Sequence, residues 1–442
     1  MPLATLVGVL ALSPQAIAID PAVKYQKWDG WGTSLCWWAH VVGTYDPKVR
    51  EEIVKMFFSD LKMNIVRYNI AGGENPRHHH MEYRAQLPGF QSADGQWDWN
   101  ADRGQRWVLQ RAKELGANRF ESFSNSPPYW MTNSQCAAGG VDGKENLPAE
   151  RVDDFAKYLV TVNEKFRTEW GITFETLEPL NEPHSDWWPS GGRQEGCRVN
   201  MGPAQSAIIE AVNRQLKAVK SPTKIAASDE SVIDTAVKSW DALSPTAKSL
   251  VSRINTHHYG GSQQLEMHKR AAEAKKPLWM SEEGDNDPKG LVMGERIVKD
   301  VRDMKANAWI YWQVIDTKGS NWGLIDMDLN HRGETWVTHK KFYVMGNFSK
   351  FICPGSTIIE VGDEHSIAAL KGRDLTIVSV NKGVERKISF DLSRFQGAAK
   401  TCDTYRTSAT EELVKGKLSL NGKQVDAILP ADSVTTFVLR VN

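Results

Sequence analysis

The chain has 442 residues, with 54 Lys+Arg against 54 Asp+Glu, so its formal net charge is zero. A balanced chain has no electrostatic pull toward phosphate backbones or acidic lipid, and no basic cluster interleaved with aromatics occurs, so neither nucleic acid nor a membrane is expected as a partner. Apolar residues at 41% and charged residues at 24% describe a folded globular protein, with room for two or three units or for one large α/β barrel and an addition.

The chain opens MPLATLVGVLALSPQAIAID. The apolar run at residues 3–12 is too short to span a membrane and lacks the basic start of an ordinary secretory signal. Residues 16–19 also alternate like a strand. The expectation is a secreted protein with an atypical signal segment, partly strand, at residues 1–18. Five cysteines (Cys36, Cys136, Cys197, Cys353 and Cys402) have no CxxC spacing, so no zinc site is expected from them. Cys136 and Cys197 fall in loops expected on one face and are the expected disulfide, which leaves at least one free thiol.

Eight short apolar runs follow, alternating with amphipathic stretches. They are GWGTSLCWW (from Gly30), MNIVRYNIAGG (from Met63), NRFESFSNSP (from Asn118) and TFETLEPLNEP (from Thr173). Then come TKIAASDES (from Thr223), SRINTHHYGG (from Ser252), KPLWMSEEGD (from Lys276) and ANAWIYWQVID (from Ala306). Helical patterns such as PKVREEIVKMFFSDL and AERVDDFAKYLVTVNEKFRTEWG lie between them. Strand–helix alternation implies parallel β-α-β units, and eight of them imply a (β/α)8 barrel, placed at residues 19–345. An open doubly wound sheet would want a glycine-rich phosphate turn after its first strand, which Asp29-Gly30-Trp31-Gly32 is not.

From Ser356 the period changes to two: STIIEVG, HSIAALKG, LTIVSVNKG, RKISFDLS and SVTTFVLRVN are split by turn residues. This predicts a small antiparallel β-sandwich at residues 346–442, which the strand at residues 16–19 is placed to join.

Reactive side chains in such barrels sit at the carboxyl ends of the strands. The fourth run ends Leu180-Asn181-Glu182-Pro183, and the seventh ends Ser281-Glu282-Glu283-Gly284-Asp285. Two facing carboxylates are what glycosidic cleavage needs: one protonates the leaving oxygen, and the other attacks the anomeric carbon or activates water. Asn-Glu-Pro alone is weak, because turns favour these residues; paired with Ser-Glu three strands later it becomes a site. Arg67 on the second strand is either a partner for a catalytic carboxylate or a structural ion pair. Tyr259, Asn181, Trp312, Asn125, Tyr129, Trp130, Trp187, Trp188 and Trp322 are candidate cleft residues, with packing as the alternative for each aromatic.

Other residues are discounted. His78, His79 and His80 lack ligand spacing and read as a solvated or substrate-facing loop. One of His257 and His258 points into the barrel as a satisfied histidine. Glu178 lies deeper than Glu182 and suits an interior hydrogen bond. Glu283 faces opposite to Glu282, and Glu121 and Asp229 are supporting candidates. Asn347-Phe348-Ser349 is an N-glycosylation sequon within a possible helix.

The order GWG-x-S, NIVRYN, SNSPPYWM, LNEP, ASDES, THHY, SEEGD and YWQ…WGLI resembles glycoside hydrolase family 30 over nearly the whole chain. GWGTSLCWWA, ELGANRFESFSNSP, QEGC and ASDES resemble its endo-β-1,6-galactanases most. The resemblance implies a retaining enzyme in which Glu182 is the acid/base and Glu282 the nucleophile, the choice over Glu283 resting on it. It implies that Arg67, Tyr259 and Trp312 support the reacting sugar. The substrate implied is the β-1,6-galactan side chains of plant arabinogalactans, cleaved by a monomer without cofactor or metal. The charge of Glu282 is expected to keep Glu182 protonated. The loop GGENPRHHHMEYRAQLPGF (from Gly72) departs from the fungal pattern, so exo action stays open, as do xylanase, β-1,6-glucanase and β-glucosidase activities and a non-catalytic carbohydrate-binding barrel.

The 17 tryptophans run from Trp28 to Trp336, with none beyond. Each offers a broad apolar face to which the C–H face of a sugar can stack. Trp107, Trp170 and Trp240 sit in helical stretches and are expected to pack. Trp37, Trp130, Trp187, Trp188, Trp312 and Trp322 sit at or beyond strand ends, and there the sugar-binding expectation concentrates.

Overall fold

A computed structural model describes residues 16–442. The expected signal segment therefore falls almost wholly outside the described residues.

The chain begins with β1 (Ile17–Lys27) and then enters the barrel. Its strands are β2 (Gly30–Ser34), β3 (Ile65–Asn69), β4 (Arg119–Phe123) and β5 (Thr176–Glu178), followed by β6 (Lys224–Glu230), β7 (Val251–His257), β8 (Leu278–Glu283) and β9 (Ala308–Gln313). Each pairs in parallel with the next, and β9 returns to β2, closing the barrel in sequence order. Every residue of β2, β3, β8 and β9 is buried. Strands covered on both faces are apolar or carry polar groups that meet inside, and Arg67, Glu121 and Asn255 do the latter.

The helices follow from amphipathic spacing. Val152–Glu169 buries Phe155, Leu159, Val162 and Phe166 along one stripe, with Asp153 and Asp154 in its first turn and Arg167 in its last, complementing the helix dipole. Pro47–Lys55 starts at a cap where Asp46 accepts from the Lys48 N–H, with Pro47 in the first position.

After β9 the chain makes a small three-stranded sheet of β10 (Ile315–Thr317), β11 (Ile325–Met327) and β12 (Trp336–Thr338). The flanking domain follows as β13 (Thr357–Val361), β14 (Ser366–Lys371), β15 (Asp374–Asn381) and β16 (Arg386–Asp391), then β17 (Thr401–Thr407), β18 (Val414–Ser419), β19 (Gln424–Leu429) and β20 (Ser433–Arg440). With β1 these form one nine-stranded sheet. Ile19, Ile377, Phe390, Val425 and Phe437, from five of its strands, share one apolar cluster, so the sheet wraps on itself as a sandwich. β1 pairs antiparallel with β13 and parallel with β16, so the sandwich uses both ends of the chain. Residues 19–27, expected within the barrel unit, thus belong to the sheet. Strands β17, β18 and β19 were not anticipated.

The helix Lys340–Ser349 joins the two units. Asn347 is fully buried there: its amide donates to the Tyr405 carbonyl (2.9 Å) and to Thr436 Oγ1 (3.0 Å), and Thr407 donates to its oxygen. The sequon asparagine is a structural bolt and is inaccessible to a glycan.

Candidate active site

Glu182 stands four residues beyond the short strand β5, and Glu282 stands within β8. Glu182 adopts a left-handed backbone (φ 47°), as does Asp229 at the end of β6 (φ 54°). Non-glycine residues rarely do so, and here the Glu182 N–H donates to the Asp229 carbonyl (2.9 Å), one bent element holding the other. The Trp188 indole N–H donates to the Glu182 carbonyl (3.2 Å), and the Trp187 N–H to Glu182 Oε2 (3.3 Å).

Glu282 is held at both oxygens. Arg67 donates to Oε2 (3.1 Å) and the Tyr259 hydroxyl to Oε1 (3.0 Å). Arg67 is itself fully buried and also bonds Glu121 (3.0 Å) and Asp229. It is therefore both an internal ion pair and a partner of Glu282, the two roles that the sequence left open.

His257 joins the two carboxylates. Its Nδ1 lies 3.2 Å from Glu182 Oε1 and 3.4 Å from Glu282 Oε1, while Nε2 faces Asp229 Oδ1 at 3.2 Å. Sequence periodicity pointed one histidine inward but gave no sign that it would meet both glutamates. Burial alone would lower the His257 pKa; the carboxylates of Glu282 and Asp229 override it and raise it to about 10. Burial pushes Glu282 up to about 7, with the His257 charge pulling the other way and Glu182 adding to the rise. Burial also acts upward on Asp229, but Arg67 and His257 win and hold it down at about 2.

Glu182, Glu282 and Tyr259 face a cleft of about 420 Å³ at the carboxyl end of the barrel, whereas Arg67, His257 and Asp229 are fully buried. Asn125, Asn181, Trp188, Tyr259, Trp312 and Trp322 line it with Glu182 and Glu282. Asn181 presents a buried Oδ1 that no other group bonds among the described residues. Trp312 rests edge-to-face on the buried Trp37 (centroids 6.0 Å apart), and Trp322 leans on Tyr259 (6.2 Å). Trp187 is the outermost aromatic, 49% exposed. Gly196 of QEGC permits the Trp188 position: a Cβ there would stand 2.2 Å from the indole ring. Arg84, Gln194 and Asp316 also line the cleft, and no sequence signal marked them.

Several expectations are corrected. Trp130 does not line the cleft; its N–H donates to the Gln91 carbonyl (3.2 Å), and its ring packs on the main core. Cys136 and Cys197 form no disulfide: all five cysteines are free thiols. Cys136 meets His80 Nε2 at 3.1 Å, whereas Cys197 sits in the main apolar core, so their loops share a face without bringing the sulfurs together. His78 and His79 are exposed, as a solvated loop requires, with His79 paired to the largely buried Glu74, while His80 ties Cys136 to the Gly192 carbonyl (2.5 Å). Glu178 makes no interior hydrogen bond: neither carboxyl oxygen meets a partner among the described residues, and burial raises its pKa well above the usual range. Glu283, by contrast, turns away from Glu282 as its strand phase predicts and pairs with Arg296.

A model of O-glycosyl hydrolase family 30 matches residues 14–248. An endo-β-1,6-galactanase of Hypocrea rufa is 31% identical over 92% of each chain. An exo-β-1,6-galactobiohydrolase of Bifidobacterium longum is 24% identical over 90% of this chain, which spans 37% of that longer protein. Among solved structures, the catalytic domain of a family 30 xylanase C from Talaromyces cellulolyticus superposes with TM-score 0.74 at 22% identity, covering 96% of this chain and all of that one. With a family model matched over more than half of its length and a galactanase relative matched almost end to end, this chain belongs to glycoside hydrolase family 30.

Proposed function

We propose that the protein is a retaining endo-β-1,6-galactanase that acts outside the cell on the galactan side chains of plant arabinogalactans. The observation that carries the specificity is the 31% identity to the Hypocrea rufa endo-β-1,6-galactanase over 92% of both chains. The chemistry is supported by the two glutamates, whose facing oxygens lie within 4.8 Å of each other. Retention needs carboxyl groups about 5–5.5 Å apart, close enough for one to reach the anomeric carbon while the other reaches the leaving oxygen.

In the first step Glu282 attacks the anomeric carbon, and Glu182 gives its proton to the departing O6. Arg67 and Tyr259 hold the two oxygens of Glu282 in line. Trp312 forms the floor under the reacting sugar, and Asn181 offers its free Oδ1 to a hydroxyl. Trp187, next to Glu182 and half exposed, offers a face to the leaving sugar. Once the glycosyl–enzyme forms, Glu182 acts as the base and takes a proton from water. Attack by that water releases the product with its configuration kept.

Exchange of Glu282 for Gln should lower turnover of β-1,6-galactan by about four orders of magnitude or more, with an unchanged circular dichroism spectrum. Retained turnover would remove Glu282 from its role. An exo reading is favoured by one feature: Arg84, on the loop after β3, pairs with Asp316 (2.9 Å) on β10, and both line the cleft. Products from debranched β-1,6-galactan separate the two: mixed oligomers mean endo action, and a single short product means exo action.

A further inference from the structure

Glu182, His257 and Glu282 each offer one ligand atom, and all three atoms lie within 4.8 Å of one another. The His257 Nδ1 stands 3.2 Å from Glu182 Oε1 and 3.4 Å from Glu282 Oε1. Two ligands on a tetrahedral zinc ion, at bonds of about 2.0–2.2 Å, stand roughly 3.3–3.5 Å apart. The two imidazole–carboxylate edges already have nearly that length.

The far side of the imidazole fits as well. Nε2 faces Asp229 Oδ1 at 3.2 Å, and Asp229 is fixed by Arg67 and Ser281. Nε2 makes no hydrogen bond there, so the Asp229 carboxylate acts on it by charge, favouring the proton on Nε2 and the Nδ1 lone pair on the metal side. Here that side faces the two glutamates.

Charge agrees with geometry. Arg67 and Arg253 bring two positive charges into the buried interior, and Glu121, Asp229, Glu182 and Glu282 bring four negative ones. Carboxylates outnumber guanidiniums there, which favours a cation. The cleft leaves an open side for a fourth ligand, where Asn181 presents its unbonded Oδ1.

The geometry points to a binding site for a zinc-class divalent cation at Glu182, His257 and Glu282, whose occupation blocks hydrolysis in competition with substrate. A mixed imidazole–carboxylate set suits zinc, cobalt or copper; magnesium and calcium want oxygen ligands alone. The blocking effect rests on the assignment of both glutamates as the catalytic pair, whereas the binding does not.

Chelator-treated whole protein titrated with zinc chloride in a calorimeter tests the binding. One zinc ion per chain is expected, displaced by galactan oligosaccharide, and cobalt(II) chloride is expected to give the strong visible bands of a tetrahedral ion. H257Q and, independently, E182Q should each weaken zinc binding by at least about 100-fold, while H79Q, in the exposed loop, should leave it unchanged. Zinc should raise the apparent KM for galactan without lowering kcat. The proposal is overturned if no saturable binding occurs at millimolar zinc, if binding survives both H257Q and E182Q, or if bound zinc does not compete with substrate. Galactan hydrolysis by the metal-free protein, measured alongside, tests the activity separately.

Discussion

Through His257 each of the two carboxylates senses the other. Its positive charge pulls down a Glu282 that burial has pushed up to about 7, and in the proposed mechanism Glu282 must be ionised to attack. The sign of a removal follows. Without the imidazolium the Glu282 pKa rises further, so the acidic limb of kcat/KM in H257Q should move to higher pH, by about one unit or more. A purely structural role would lower activity at every pH and leave the limb in place. The residue scale was partly legible in the sequence. Glu182 and Glu282 are marked by the turns that follow their strands, and alternation along THHY points one histidine inward. Which groups that histidine meets depends on the left-handed bends at Glu182 and Asp229, and no local pattern encodes those.

At the scale of elements, the site depends on how loops seat the aromatics. The Trp188 indole props the Glu182 backbone, and Gly196 leaves room for the ring. G196A puts a methyl group 2.2 Å from that ring, so one of them must move. The variant should lose about 1–3 kcal/mol of stability and show a lower kcat at 25 °C, read by thermal denaturation and by galactan kinetics. A variant with unchanged melting and kcat would show that Trp188 does not hold Glu182. The barrel strands were legible because a closed parallel barrel buries both faces and leaves unbroken apolar runs such as MNIVRYNIAGG. β18 was not, because VKGKLS is mostly exposed and has no apolar face to read. The disulfide expectation failed for a related reason: spacing places two loops on one face, but not two sulfurs within bonding distance.

The whole molecule carries an uncommon load of buried acid. Burial raises Asp102, Glu195, Glu230 and Glu282 to about 7, each against several hydrogen bonds or charges that act downward. Each folded pKa lies above the unfolded value, so the folded state binds protons more tightly. That stability is fully present below the unfolded carboxyl range and is lost as pH rises through about 7. The urea midpoint should therefore be higher at about pH 5 than at about pH 8; the opposite order would contradict the buried-acid account. The tryptophan boundary also becomes structural at this scale. Trp28 and Trp31 meet at a tilt at the junction (centroids 4.5 Å apart), Trp336 lies in β12, and the sandwich beyond is held by Asn347 without a tryptophan of its own. The central claim is double displacement on β-1,6-galactan by Glu182 and Glu282. The direct measurement is proton NMR of the first reducing ends released from debranched β-1,6-galactan, recorded before mutarotation. β-Anomers appearing first, and none from E282Q, are the predicted result; α-anomers first, or no cleavage of this polymer, would contradict it.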